Sequence, residues 1–350
     1  MRTYAVVLAS VITTVAILFG VFITRVAAYS SPERYFQKGK RNYEVQNYED
    51  AINNFNEYLS IRSRRKTEEN IAEANFLVAD SLKNLKKYTL AKQKLSDIIN
   101  DPKYISYYTN AILAYADIAR LENTPDAYLM VKLQNNLNTS DKSVASTINM
   151  QYGYQLLFSK RYGEALSYFL RSDGELALLG RARAYFEMGE FDRAFEIYKD
   201  FLVYYKNSAY YSEVMRTYLI QVPARAHRYF VDKNYSKARM YYNNIAMLFP
   251  TTEHGEEALF RIAQSYYTEQ NYNKAVEYYT KVRQNNVPLL DAEALLYIGL
   301  SYFKVNRYSD SYKVLDQFIS DYPSNANVPR AKEYLASLEN TLLMINNVSY

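Results

Sequence analysis

Only two imidazoles are available for acid–base or metal chemistry in the 350 residues, His227 in ARAHRYF and His254 in TTEHGEEA. A zinc or hydrolase site needs histidines and carboxylates at fixed spacing, and neither histidine has the partner of an HxxxH or HExxH pair. Cysteine is absent, which removes disulfides, thiol nucleophiles, thiolate metal sites and a lipid-modified N-terminal cysteine. No GxGxxG loop, and no GxxxxGK followed by Ser or Thr, is present to cradle a phosphate. The acidic pair Glu256-Glu257 stands at an expected helix start, where carboxylates favour the macrodipole. These residues specify no enzyme, and neither a cofactor nor a metal is expected.

What remains is recognition chemistry. Phe186, Phe230, Tyr267 and Phe303 recur at intervals of 44, 37 and 36 residues, and three residues before them stand Arg183, His227, Gln264 and Leu300. The equivalent earlier positions, Tyr43, Lys83, Ala119 and Leu157, do not continue the aromatic row. Two readings are open. The rings pack against neighbouring helices as core, or they line a partner-binding groove in which the polar row (Arg183, His227, Gln264) hydrogen-bonds a ligand backbone.

The elements that position this row are written in a repeat. NYEDAINNF (47–55), KYTLAKQKL (87–95), RYGEALSYF (161–169), EFDRAFEIY (190–198), NYSKARMYY (234–242), NYNKAVEYY (271–279) and RYSDSYKVL (307–315) share an aromatic, a small residue and an apolar residue in fixed register. A copy expected near 123 is met by NTPDAYLMV, with Ala127 in the small position, Val131 in the apolar one and Thr124 replacing the aromatic. The spacings are then 40, 36, 38, 29, 44, 37 and 36. The short and the long interval sum to two ordinary ones, and Pro223 is expected to break the extra helix inside the long one.

A second small residue falls twelve before the first: Gly39 before Ala51, Ala79 before Ala91, Gly153 before Ala165, Ala182 before Ala194, Ala226 before Ala238, Ala263 before Ala275, and Gly299, with Tyr115 the exception. Two helices joined by a short turn approach closely only where little side chain intervenes. With 39 Tyr, 16 Phe, no Trp and only nine Gly and eight Pro, the chain is expected to be mostly helical. Pro250, Pro288 and Pro323 fall where repeats end. Past them Ala331, Tyr334, Leu335, Leu338, Leu342 and Ile345 recur at helical spacing, as in a helix covering the last repeat.

These registers resemble the tetratricopeptide repeat, a helix-turn-helix unit with a period of about 34 residues. The resemblance covers about 31–323 and departs from the family in lacking its Trp, in a degenerate third repeat and in a period nearer 37. It implies an all-α, right-handed solenoid of about eight helix pairs, with 324–350 as capping helix and tail, and a surface that binds a protein or peptide partner. The segments FPTTEHGEEALFRIAQSYYTEQNYNKAVEYYTKV and LDAEALLYIGLSYFKVNRYSDSYKVLDQFISDYPSN are similar in style to repeats of bacterial envelope proteins. Among these are the periplasmic coordinator of the Tol-Pal system and the repeat lipoprotein of outer-membrane barrel assembly.

Residues 1–28 hold the uncharged run YAVVLASVITTVAILFGVFI (4–23), roughly 30 Å long as a helix and so sufficient to cross a bilayer. It reads as an anchor, with a cleaved signal ending near Val26-Ala27-Ala28 as the alternative. Positive charges after it favour a cytoplasmic bulk, whereas the envelope resemblance favours an extracytoplasmic one. The net charge of +5 is dispersed, and the run RSRRK (62–66) reads as a solvated loop or helix end, so no nucleic acid is expected. The expected function is a membrane-anchored, non-enzymatic scaffold of the cell envelope. A structural subunit of an assembly or secretion complex, using end and edge contacts, is the alternative.

Overall fold

The computed structural model describes residues 31–64 and 66–348. Seventeen α-helices and no strand are present among them. Eight helical hairpins follow one another: α1 (Pro32–Glu44) with α2 (Tyr48–Ser60), α3 (Glu68–Asn84) with α4 (Tyr88–Asn100), α5 (Tyr108–Glu122) with α6 (Ala127–Gln134), and α7 (Lys142–Phe158) with α8 (Tyr162–Phe169). Then come α9 (Glu175–Glu187) and α10 (Phe191–Tyr204), numbered as the fifth pair by their succession in the chain, α11 (Tyr211–Val231) with α12 (Tyr235–Leu248), α13 (Glu253–Thr268) with α14 (Tyr272–Gln284), and α15 (Asp291–Lys304) with α16 (Tyr308–Asp321), before a final α17 (Val328–Val348). The apolar segment 4–23 lies outside the described residues, and no described helix is long and apolar enough to cross a membrane.

The chain forms two compact units, one ending at Gly189 and the other starting at Glu190. In the first, a continuous core runs from Phe36 in α1 to Ala184 in α9. In the second, Ala263, Ala275, Tyr279 and Ala294 join α13, α14 and α15, while Leu315, Phe318, Val328, Ala331 and Leu338 join α15, α16 and α17. The side chains of Leu342 and Ile345 lie outside the described ones.

Seven of the eight turns have the same backbone. Gln46, Lys86, Lys160, Gly189, Lys233, Gln270 and Asn306 take φ values between 59° and 80°. In the first turn Gln46 N–H donates to the Tyr43 carbonyl at 2.9 Å and Asn47 N–H to that of Asn42 at 2.8 Å, which closes the helix end. Asn47, Asn234 and Asn271 then cap the second helix by accepting from Asp50, Lys237 and Lys274 N–H. The repeated aromatic is the first residue of that helix, and its ring meets the last turn of the first helix: Tyr43 with Tyr48 at 5.9 Å, Phe230 with Tyr235 at 5.3 Å, Tyr267 with Tyr272 at 5.2 Å and Phe303 with Tyr308 at 5.8 Å.

The small residues Gly39, Ala51, Ala79, Ala91, Gly153, Ala165, Ala182, Ala194, Ala226, Ala238, Ala263, Ala275 and Gly299 are all buried. A Cβ on Gly39 would stand 2.7 Å from the Phe55 ring, and one on Gly299 at 2.7 Å from Leu315, so a methyl group is already too large at these crossings.

Two expectations are corrected. In the third pair Ala127 and Val131 are exposed, and Leu129 and Leu133 are the buried residues. The turn there runs from Asn123 to Asp126, four residues against three in the other pairs, because it must pass Pro125. With that extra residue the small position of α5 is the buried Ala116 instead of Tyr115, and Arg120 replaces Ala119 in the aromatic row. Pro223 does not break its helix, since α11 continues through it for 21 residues. The lost hydrogen bond to the Leu219 carbonyl is outweighed by the face Val214, Tyr218, Val222 and Ala226, buried on both sides of the proline.

First helices are also tied to one another. Glu256, fully buried in the first turn of α13, accepts the Leu290 N–H at 3.0 Å and so caps α15, whose own N-cap residue offers no side-chain acceptor. Ser146, also seven residues before the small residue of its helix, accepts the Asp173 N–H at 2.9 Å ahead of α9.

Candidate partner-binding site

The expected aromatic row consists of half-buried rings: Phe186, Phe230, Tyr267 and Phe303 each lie four residues after the small residue of their first helix. Their surroundings differ. Tyr297, projecting from α15, covers Tyr267 at 5.4 Å, and Tyr334 of α17 covers Phe303 at 5.1 Å. Phe230 meets Tyr235 and, at 6.5 Å and 8° between planes, the exposed imidazole of His227. The residue in place of Tyr297 one repeat earlier is Arg261, and its guanidinium turns along its own helix to Gln264 Oε1 at 3.0 Å and Glu257 Oε1 at 3.3 Å.

The difference extends to a second ring. Phe260, Tyr267 and Tyr279 of the seventh hairpin form one cluster with Tyr297 of α15, Tyr279 and Tyr297 stacked at 5.4 Å and 18° and Phe260 5.3 Å from Tyr279. The same registers one repeat earlier hold Pro223, Phe230 and Tyr242 of the sixth hairpin and Arg261 of α13. Two of four rings are missing, and a cavity of about 330 Å³ opens there, lined by Pro223, Ala224, His227, Tyr242, Ile245, His254, Glu257, Ala258 and Arg261. Tyr242 and Ile245 form the buried floor, and burial pushes the Tyr242 phenol up. His227, His254 and Glu257 are exposed at the rim.

The polar row is thus divided among different tasks. His227 faces the cavity, Gln264 is held by Arg261, and Arg183 belongs to the first unit, where it donates to Asn123 Oδ1 at 2.8 Å and lies over the Phe158 ring at 5.7 Å. That His227 and His254 line one cavity does not follow from their spacing in the sequence, because it depends on the register of two successive first helices. The signal available in the sequence was the loss of aromatics at 223 and 261 relative to 260 and 297.

Residues 176–208, 257–286 and 293–325 match the tetratricopeptide repeat family, and these segments hold the fifth, seventh and eighth hairpins. No curated protein matches the chain. Solved structures similar to it include the TPR2AB domain of yeast Sti1 in complex with pHSP90, at 11% identity and a TM-score of 0.31 over 88% of this chain and 98% of that one. The TPR domain of P58(IPK) aligns at 15% identity and a TM-score of 0.32, over 89% and 98% of the two chains. A tetratricopeptide repeat protein of Parabacteroides merdae aligns at 13% and 0.36, over 77% and 98%. With TM-scores this low, none of them bears on what this chain binds.

Proposed function

We propose that the protein is a non-enzymatic scaffold that holds a partner polypeptide against the first helices of its sixth and seventh hairpins. One observation carries this reading: beside His227, on which the half-buried Phe230 stacks, the sixth hairpin leaves open a space that in the next repeat is filled by Phe260 and by Tyr297 of α15. Partly exposed aromatics next to a concavity are where binding energy concentrates. An assembly role through the C-terminal end is less well supported, because α17 covers the last hairpin with Tyr334, Ala331 and Leu338.

We further propose that residues 4–23 anchor the chain in a bacterial envelope membrane, with the repeats on the extracytoplasmic side. The support is the length of the uncharged run and the style of the last two repeats. Site-directed photo-crosslinking tests the scaffold reading: a cross-linker at the exposed position 227 should capture one defined polypeptide in intact cells, and one at exposed Val45 should not. Capture from Val45 alone would place the partner elsewhere. Protease accessibility in spheroplasts, with N-terminal sequencing of the product, tests topology and cleavage together.

A further inference from the structure

We propose that the cavity between α11 and α13 seats an aromatic side chain of the partner, carried next to a carboxylate. The proposal rests on the scaffold reading and specifies the chemistry the site recognises.

The chain itself supplies the template. In the seventh hairpin the space bounded by Tyr267 and Tyr279 is filled by Tyr297 from the following first helix and by Phe260. In the sixth, the registers of Tyr267 and Tyr279 keep aromatic residues, Tyr242 lining the cavity and Phe230 standing behind His227, and only the two inserted rings are replaced, by Pro223 and Arg261. The cavity of about 330 Å³ is large enough for a phenol ring. Its floor of Tyr242 and Ile245 is buried, and the Tyr242 ring offers the face that Tyr279 presents to Tyr297. An aliphatic side chain would make fewer such contacts.

Charge complementarity sets the second half of the recognition. The rim carries the Arg261 guanidinium, the Glu257 carboxylate and two imidazoles, whose ring N–H groups can donate to an anionic ligand. Arg261 is held by one contact to Glu257 at 3.3 Å and one to a neutral amide, Gln264, so its remaining N–H groups can take a ligand carboxylate. Tyr297, being uncharged, has no such requirement in the filled repeat.

The only two histidines of the chain both line this cavity, so their ring C–H resonances report on it without interference. Full-length protein labelled at histidine, in detergent, would be titrated with N-acetyl-L-tyrosine, N-acetyl-L-tyrosinamide and N-acetyl-L-leucine. N-acetyl-L-tyrosine should shift both imidazole signals saturably, with the amide on the order of tenfold weaker and the leucine derivative weaker again. Arg261→Tyr, which restores the ring of the next repeat, should abolish the shifts while the melting temperature holds or rises. If that variant melts early, Ala224→Trp, which plugs the cavity from an exposed position, replaces it. The proposal is overturned if N-acetyl-L-tyrosine produces no saturable shift, if the leucine derivative binds as well, or if binding survives the folded plugged variant. These probes need no natural partner, so a failed titration leaves the scaffold reading to the cross-linking result, and a failed cross-link leaves the cavity chemistry to the titration.

Discussion

The ring of Phe169 fills the space beside Gly153, where a Cβ would stand 2.8 Å from its nearest ring carbon. The same ring lies against Gly180 of the next first helix, so it cannot retreat from one glycine without meeting the other. Gly153→Ala is expected to cost about 1–3 kcal/mol by overpacking. Gly163→Ala, with nothing within 4 Å of the added methyl, should be neutral or gain up to about 1 kcal/mol from helix propensity. Urea unfolding of the two variants checks the contrast, and equal midpoints would show that the hairpins are not packed this closely.

The turn residues predict opposite signs for one substitution and its reverse. Lys233 and Gln270 hold φ of 60° and 63°, a region that disfavours side chains with a Cβ, while Gly189 holds 80° without strain. Lys233→Gly and Gln270→Gly should each stabilise by about 0.5–1 kcal/mol, and Gly189→Ala should destabilise by about as much or more. Differential scanning calorimetry of the three variants decides it.

Tyr267 and Phe230 occupy one register with different neighbours. Tyr267→Ala removes a ring clasped between Tyr272 and Tyr297, and should cost roughly 2–4 kcal/mol. Phe230→Ala loses contacts with Tyr235 and an exposed imidazole beside an existing cavity, and should cost about half as much. Comparable losses on thermal melting would mean that the two rings are core alike.

Glu256 gives a pH dependence with a definite sign. Burial pushes its carboxyl above the ordinary 4.5, the Leu290 N–H offsets part of this, and the carboxyl of Asp291, itself pushed up from 3.8 by burial, adds to the rise. Glu253 also raises Glu256, and Arg283 lowers Asp291. Both acids are therefore better tolerated protonated in the folded chain. The stability this contributes is fully present below the ordinary values and is lost as pH rises through the raised ones. Glu256→Gln retains an acceptor for Leu290 and removes the charge. It should raise the neutral-pH melting midpoint and flatten the pH profile above 4.5. A variant less stable than wild type at pH 7 would overturn this sign.

The repeat was legible in the sequence because its cause is local: small residues twelve apart and an aromatic opening each second helix place the hairpins without further information. The third pair departs from the repeat register by two residues in α6 and one in α5 because Pro125 lengthens a turn whose other signals are weak. The left-handed backbone at Gln46, Lys86, Lys233 and Gln270 left no mark, since closure of the hairpin imposes it on residues that do not prefer it. The continuation of α11 through Pro223 reflects burial on both sides, a tertiary effect outweighing a local one. The cavity was the hardest feature to read, because it consists of two absent rings and shows only when one repeat is laid over the next. The readings of anchor, signal and orientation concern residues outside those described.

Glu256 joins neighbours that the chain separates, reaching from the start of one first helix to the start of the next at Leu290. A loop amide held in this way should exchange its hydrogen with solvent slowly, on the schedule of α13 and not of the connection it belongs to. Opening of the eighth hairpin is thereby coupled to the seventh, so the C-terminal end should release its amides in a single cooperative step, without fraying one helix at a time.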